Sequence, residues 1–290
     1  MMQLSKYDLI CLKSFGDLTI AARALNMLYE EDARNITLSI GSHHSDLYGA
    51  LRPDFIASRV IALKYPGVPA FYDIKDAGML KAFSSLLDAF QARRRHKDED
   101  CTLIFDALSW REKLLTRGQQ AIGLSNSENN IYQNYRSTFL NLFGRVRDDV
   151  VSPGPGKTIL ILPHGRKSFR NIPPELIDCM AKKCIAKGFE PLVYALKGDS
   201  PIPCTVPQTI IAERSFSALR EVIEQSHAVV SSDSLGAHLA TYVGRPVFIS
   251  SPYDKTRYWL PPNTASNEYW GLFSESMKMI GAFDRFLTDL

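Results

Sequence analysis

The sequence predicts an α/β protein built as two domains, each a parallel sheet covered by helices. Three observations predict it. Short apolar runs of strand length alternate with helix-period segments along the whole chain. A Pro/Gly cluster, Ser152-Pro153-Gly154-Pro155-Gly156-Lys157, interrupts that alternation near the midpoint. The length, 290 residues, is that of two domains at roughly 150 residues each.

The elements follow in order. Tyr7-Asp8-Leu9-Ile10-Cys11-Leu12 is a short apolar run of the type buried on both faces of a sheet. Leu18, Ala21, Ala22 and Leu25 then recur at helical spacing. Ile36 to Gly41, Arg59 to Leu63 and Thr102 to Phe105 read as further strands, with a helix from about Ala77 to Arg95 between the last two. Asn130 to Arg145 reads as a helix with Tyr132, Tyr135, Phe139, Leu142 and Phe143 on one face. Past the Pro/Gly cluster the alternation resumes. Strands are expected at Thr158–Leu162, Pro191–Leu196, Thr209–Ala212, Ala228–Ser231 and Pro246–Ile249, and helices at Pro174–Lys187, Ser217–Gln225, Leu235–Tyr242 and Ser274–Leu290. Gly188 stands where a helix stop is expected. Repeated βα units favour parallel sheets with helices on both faces. The expectation is two Rossmann-like domains, residues 1–150 and 151–290, facing a central cleft, with the C-terminal helix free to pack back on the first.

Composition excludes several classes. Hydrophobic residues at 45% and charged residues at 22% exclude disorder. A formal charge of +3 argues against a dedicated nucleic-acid binder, whose phosphate contacts need a clear basic excess. No apolar run approaches the roughly 18 residues of a membrane span, and the first residues lack the apolar core of a signal peptide. The five cysteines, Cys11, Cys101, Cys179, Cys184 and Cys204, show no CxxC spacing and read as free thiols of a reducing cytosol. His43-His44 with Asp46 reads as a surface pair rather than a metal cluster, because adjacent side chains diverge. Arg93-Arg94-Arg95-His96-Lys97, followed by Asp98-Glu99-Asp100, reads as a solvated helix end with at most peripheral contact to anionic lipid. No GxGxxG, Walker A or GxSxG motif is present.

Three strand-to-helix junctions carry chemistry, where open parallel sheets bind ligands. In Lys13-Ser14-Phe15-Gly16-Asp17, the Asp17 carboxylate suits either an N-cap or a general base. In Pro163-His164-Gly165-Arg166-Lys167-Ser168-Phe169-Arg170, the cations Arg166, Lys167 and Arg170 suit a diphosphate. In Ser231-Ser232-Asp233-Ser234-Leu235-Gly236-Ala237-His238, Ser234 and the helix N–H groups suit phosphate oxygens, and His238 lies one turn further on.

Taken together, the three junctions resemble glycosyltransferase family 9, the ADP-heptose lipopolysaccharide heptosyltransferases. The matching segments are Ser14-Phe15-Gly16-Asp17, Arg170-Asn171-Ile172-Pro173 in place of Lys-x-Trp-Pro, and Asp233-Ser234-Leu235-Gly236-Ala237-His238-Leu239-Ala240 followed by Gly244-Arg245-Pro246. Ser215 to Leu219 and Trp259-Leu260-Pro261 fall in corresponding places. The similarity covers residues 158–262 and the first junction, and is thin over 30–150. It implies a GT-B fold, with an acceptor domain followed by a donor domain. It also implies inverting, metal-independent transfer of a sugar, a heptose being one candidate, from a nucleoside-diphosphate sugar, ADP-linked donors included, to a cell-envelope glycan or glycolipid such as lipopolysaccharide core. Asp17 would be the base. Gly165, Arg166, Lys167, Arg170, Asp233, Ser234, Gly236 and His238 would hold the donor, and Lys13 and Ser14 the acceptor. No cofactor, metal or nucleic acid is implied, and the location would be the cytoplasm or the cytoplasmic face of the inner membrane. Three departures stand out: Arg170 for Lys, Ile172 for Trp, and Leu235 where glycine is usual, the glycine following at 236. The alternatives are a non-catalytic nucleotide-sugar-binding protein of the same fold and a sugar-nucleotide epimerase.

Overall fold

The computed structural model describes residues 6–51, 58–64, 68–95, 101–148, 150–198 and 209–290. The chain divides into two compact units, Met1–Glu128 with Asn134–Asp148, and Asn129–Gln133 with Asp149–Leu290.

The first unit carries β1 (Tyr7–Cys11), α1 (Phe15–Asn26), α2 (Glu30–Ala33), β2 (Ile36–Gly41), α3 (Ser45–Leu51), β3 (Ser58–Ile61), α4 (Ile74–Ala77), α5 (Met79–Arg95), β4 (Thr102–Phe105), α6 (Trp110–Thr116) and β5 (Ala121–Gly123). Helix α7 (Ile131–Phe143) begins in the segment that belongs to the second unit. The strands pair in parallel in the order β3-β2-β1-β4-β5. The apolar period of α1 buries Leu18, Ala21, Ala22 and Leu25. α5 buries Ala82, Leu86, Ala89 and Ala92 in one cluster with Leu103, Phe105 and Leu115.

The second unit carries β6 (Thr158–Leu162), α8 (Pro174–Ala186), β7 (Glu190–Leu196), β8 (Thr209–Ala212), α9 (Phe216–Gln225), β9 (Ala228–Ser232), α10 (Leu235–Tyr242), β10 (Val247–Ser251), α11 (Pro262–Ser266), β11 (Trp270–Leu272) and α12 (Ser276–Asp289). Its parallel strands run β11-β10-β9-β6-β7-β8. Counted within each unit, both sheets follow the Rossmann order 3-2-1-4-5, the second adding a sixth strand. Strand order therefore reverses between β1 and β4 in one sheet and between β6 and β9 in the other. Ligands of such sheets bind outside the carboxyl ends of the strands at this reversal.

Several expectations change. The Pro/Gly cluster, placed by sequence at the boundary between the domains, is hydrogen-bonded to the second unit. Ser152 N–H donates to Gly244 O at 2.9 Å and Gly154 N–H to His227 O at 2.8 Å. A Cβ on Gly154 would overlap the carbonyl of Ser226, so the close approach requires glycine. α12 places Met279, Phe283, Phe286 and Leu287 in the second unit's core with Phe248 and Ile177. Arg93 is no solvated helix end. It is 3% exposed, and its guanidinium lies 3.2 Å from the buried Asp8 carboxylate, which Arg59 also approaches at 3.5 Å. Burial of Asp8 in mid-strand requires these cations. His43 and His44 are no surface pair either, since His44 is fully buried. They lie in a short 3-10 turn with ring centroids 3.9 Å apart. His96 to Asp100, and Cys204, lie outside the described residues. No described helix is long and apolar enough to cross a membrane.

Candidate active site

The first junction is the β1–α1 turn. Ser14 is extended and caps α1, its Oγ accepting from Asp17 N–H at 3.3 Å. Asp17 is the N3 partner of a capping box, not the N-cap itself. Its Oδ2 accepts from Ser14 N–H at 2.7 Å and from Ser14 Oγ–H at 2.8 Å. Both bonds fall on Oδ2, so Oδ1 is the oxygen available to take a proton. Burial, and then the nearby Asp106 carboxylate, raise the Asp17 pKa, against the opposing Ser14 hydrogen bonds and Lys13. A raised value suits a base that must bind and release a proton.

Asp106 follows β4, so it enters the same sheet reversal from the other side. Lys13 Nζ bonds both its oxygens, at 2.8 and 2.6 Å. The same ammonium lies 3.9 Å from buried Glu112 and 5.0 Å from the Tyr72 ring centre. The Lys13 pKa is raised: burial opposes the charge, but Asp106 outweighs it. Burial, helped by Glu112, pushes the Tyr72 phenol up. His43 Nε2 lies 3.1 Å from Lys13 O, and Phe15 packs on His44 with centroids 5.6 Å apart. Burial drives the His44 pKa down to about 3, so the ring is neutral.

The second unit gathers the other two junctions at the β6–β9 reversal. The loop after β6 closes on itself, with Gly165 N–H donating to Asn171 Oδ1 at 3.0 Å and Ile172 N–H to Pro163 O at 2.9 Å. A Cβ on Gly165 would collide with that of Arg170. The loop thereby turns Arg170 toward Asp233. Its Nη1 donates to Asp233 O at 3.3 Å and lies 3.9 Å from Asp233 Oδ2. The guanidinium stands 5.4 Å from the Tyr253 ring centre and 5.9 Å from that of Phe169. Arg166 and Lys167 are exposed on the same loop. Asp233 is buried and its Oδ2 accepts from Thr256 Oγ1–H at 2.8 Å, itself 2.6 Å from Ser251 Oγ.

Ser234 precedes α10 in extended conformation without a side-chain cap bond. The first N–H groups of α10 therefore face the junction without a cap acceptor, and the helix dipole adds positive potential there. His238 is buried, with Nδ1 2.9 Å from Tyr132 Oη. Burial lowers its pKa to about 4, leaving the ring neutral. Tyr132 comes from the Asn129–Gln133 segment, which also docks through Asn130 Nδ2–H to Leu260 O at 2.7 Å.

Gly236 and Ile172 act in packing. A Cβ at 236 would fall 2.6 Å from Leu162 Cδ1, so the glycine lets α10 approach β6. Ile172 is buried in the second core with Leu176 and Ile177. Of the residues read from sequence, Asp17, Ser14 and Lys13 meet in one unit, and Arg170, Asp233 and Ser234 in the other. Asp106, Glu112, Tyr72, Tyr253, Thr256 and Tyr132 were not foreseen. Asp106 carries a signal, since it directly follows a predicted strand. The others reach their places only through tertiary packing. Among the described residues no group of three or more His, Cys, Asp or Glu is placed to hold a metal ion.

No protein-family model matches the chain, and no curated protein matches it in sequence. Solved structures do match in shape. The chain is similar to the E. coli heptosyltransferase WaaC with ADP, at TM-score 0.65 and 12% identity over 98% of this chain and 99% of that one. It is similar to a glycosyltransferase family 9 protein from Veillonella parvula, at TM-score 0.65 and 11% identity over 100% and 99%. The E. coli ADP-heptose lipopolysaccharide heptosyltransferase II matches at TM-score 0.57 and 11% identity over 98% and 99%. The chain thus has the GT-B-type, heptosyltransferase-like fold that the motifs implied, along its full length.

Proposed function

We propose that the chain is a glycosyltransferase that moves a sugar from a nucleoside-diphosphate donor to a hydroxyl of a cell-envelope glycan or glycolipid, with inversion and without a metal. The observation that carries this reading is the meeting of Arg170, Asp233 and the α10 N-terminus at the sheet reversal of the second unit. An Arg fork beside helix N–H groups is a site for diphosphate oxygens. The fold likeness to structures of heptosyltransferases, one of them with ADP, supports it.

In this reading Asp17 takes the proton from the acceptor hydroxyl as its oxygen bonds the anomeric carbon. The bond from that carbon to the diphosphate oxygen breaks on the opposite side, and the nucleoside diphosphate leaves. Arg170 and the α10 N-terminus offset the charge that develops on the diphosphate, the role a metal would otherwise serve. Arg166 and Lys167 add long-range attraction from the exposed side of the loop. Asp233, held by Thr256, accepts from sugar hydroxyls. His238, neutral and fixed by Tyr132, and Ser234 contact phosphate oxygens. The cytoplasm, including the cytoplasmic face of the inner membrane, is the compartment where such a donor would be met.

Thermal-shift measurement against ADP-, GDP-, UDP- and CMP-sugars tests the donor class, because a ligand of the folded state raises its stability. One family of nucleotides should raise the midpoint, and the shift should vanish in Arg170→Ala. Absence of any shift removes the donor assignment. A non-catalytic binding protein is the second reading. It is favoured by the capping-box role of Asp17, which gives that carboxylate a structural duty. Donor binding without transfer to any acceptor would select it. Isomerisation of the donor without an acceptor would select an epimerase instead.

A further inference from the structure

Helix α5 is apolar on two opposite sides. Ala82, Leu86 and Ala89 face the core, whereas Met79, Leu80, Phe83 and Leu87 face outward on successive turns. The outward residues are not marginally exposed: Leu80 is 88%, Met79 79% and Phe83 63% accessible. α6, packed beside α5, shows Trp110 and Leu114 in the same state. A single exposed Leu needs no explanation, but six large apolar residues on two neighbouring helices do.

Basic side chains predominate around them. α5 and α6 carry Lys81, Arg94, Arg95, Arg111 and Lys113, and Arg117 follows at the end of α6. Arg111 lies over the exposed Trp110 ring at 5.4 Å, so a cation borders the apolar residues directly, and Arg117 lies over the half-buried Phe90 ring at 4.5 Å. The carboxylates on the two helices are Asp88 and Glu112, and Glu112 is buried. Asp98-Glu99-Asp100 follow α5 in sequence, outside the described residues.

We propose that the outer face of α5 and α6 docks on an anionic lipid surface, with Leu80, Phe83, Leu87 and Trp110 entering the headgroup boundary and Arg94, Arg95 and Lys113 meeting lipid phosphates. An amphipathic face of this composition lies in the interfacial plane, and each basic side chain near the surface adds attraction. A second protein copy would bring the same basic rim against itself, so charge complementarity favours the anionic surface. This proposal stands apart from the transferase reading.

Vesicle co-sedimentation of the full chain tests it, comparing phosphatidylcholine vesicles with mixed phosphatidylcholine–phosphatidylglycerol vesicles. The wild type should partition to the mixed vesicles, and less as salt rises. Phe83→Asp with Leu87→Asp should abolish partition. Arg94→Glu with Arg95→Glu should lower it by about tenfold or more. Unchanged thermal midpoints would show that the variants fold. Absence of wild-type partition, or equal partition of wild type and folded variants, overturns the proposal. So does a dimer in solution that the Phe83 variant dissociates, since it gives the face to a second copy.

Discussion

The two units share one strand order and both join the sheet reversal with a cation–carboxylate pair, yet the pairs differ. In the first, Lys13 Nζ binds both oxygens of Asp106 at 2.6 and 2.8 Å. In the second, Arg170 stands 3.9 Å from the Asp233 carboxylate, which Thr256 already engages. The surroundings diverge in the same sense. One ammonium sits among the carboxylates of Asp17, Asp106 and Glu112 in the first, whereas Arg166, Lys167 and Arg170 accompany Asp233 on the second. An excess of carboxylate raises proton affinity and suits a base. Cations gathered beside a helix N-terminus suit an anion. Topology sets where chemistry sits in each unit, and local charge sets which chemistry it is.

The sharpest break of this contrast is Asp17→Asn. Asparagine keeps an acceptor for Ser14 N–H, so the cap should survive. Transfer should fall by about 10²–10⁴-fold, the usual contribution of a positioned base, with donor affinity unchanged by calorimetry. Retained transfer would reduce Asp17 to a capping residue.

Each unit also buries a neutral histidine, His44 or His238. The folded His238 pKa is about 4 against an ordinary 6.5, so below pH 6.5 the unfolded chain binds protons that the folded chain does not. Stability is complete above pH 6.5 and falls as pH drops toward 4. Urea midpoints across that window should decline in the wild type and less steeply in His44→Phe or His238→Gln. A flat wild-type profile would contradict the burial of both rings as neutral species.

Serine caps give a smaller contrast. Ser14→Ala removes a capping box and should cost about 1 kcal/mol, whereas Ser234→Ala removes no cap bond and should leave stability nearly unchanged. Equal losses in chemical denaturation would erase the difference. Smaller again is the effect of Asp106→Asn. With one carboxylate neutralised, the Asp17 pKa should fall and the acidic limb of the pH–rate profile should move to lower pH. An unmoved limb would separate Asp106 from the base.

Much of the fold was legible because buried parallel strands are short continuous apolar runs. Tyr7–Cys11, Ile36–Gly41, Thr102–Phe105 and Thr158–Leu162 stand within a residue of their expected bounds. Ala121–Gly123 and Trp270–Leu272 are edge strands of three residues each, too short for any period to register. Gly78, with φ of +82°, separates the single turn of α4, too short for a period to register, from α5, which fills the helix expected from about Ala77 to Arg95. Site residues were legible where they follow a strand, as Asp17 and Asp233 do. Thr256, Tyr253 and Tyr132 reach the second site from distant segments, which no local pattern encodes. The glycine at 236 reads as a displaced ligand contact in sequence, but its nearest obstacle is Leu162. Arg93 shows the reverse error: a basic run signals solvent, and only the buried Asp8 beside it reveals an interior role.

The central claim is that the second unit binds a nucleoside diphosphate through Arg170. Titration calorimetry of ADP, GDP and UDP against wild type, Arg170→Ala and Asp17→Asn tests it most directly. At least one diphosphate should bind the wild type and Asp17→Asn alike, and bind Arg170→Ala about tenfold to a hundredfold more weakly, the range of a lost charged hydrogen bond. Equal affinity in Arg170→Ala, or no binding to the wild type, would contradict it.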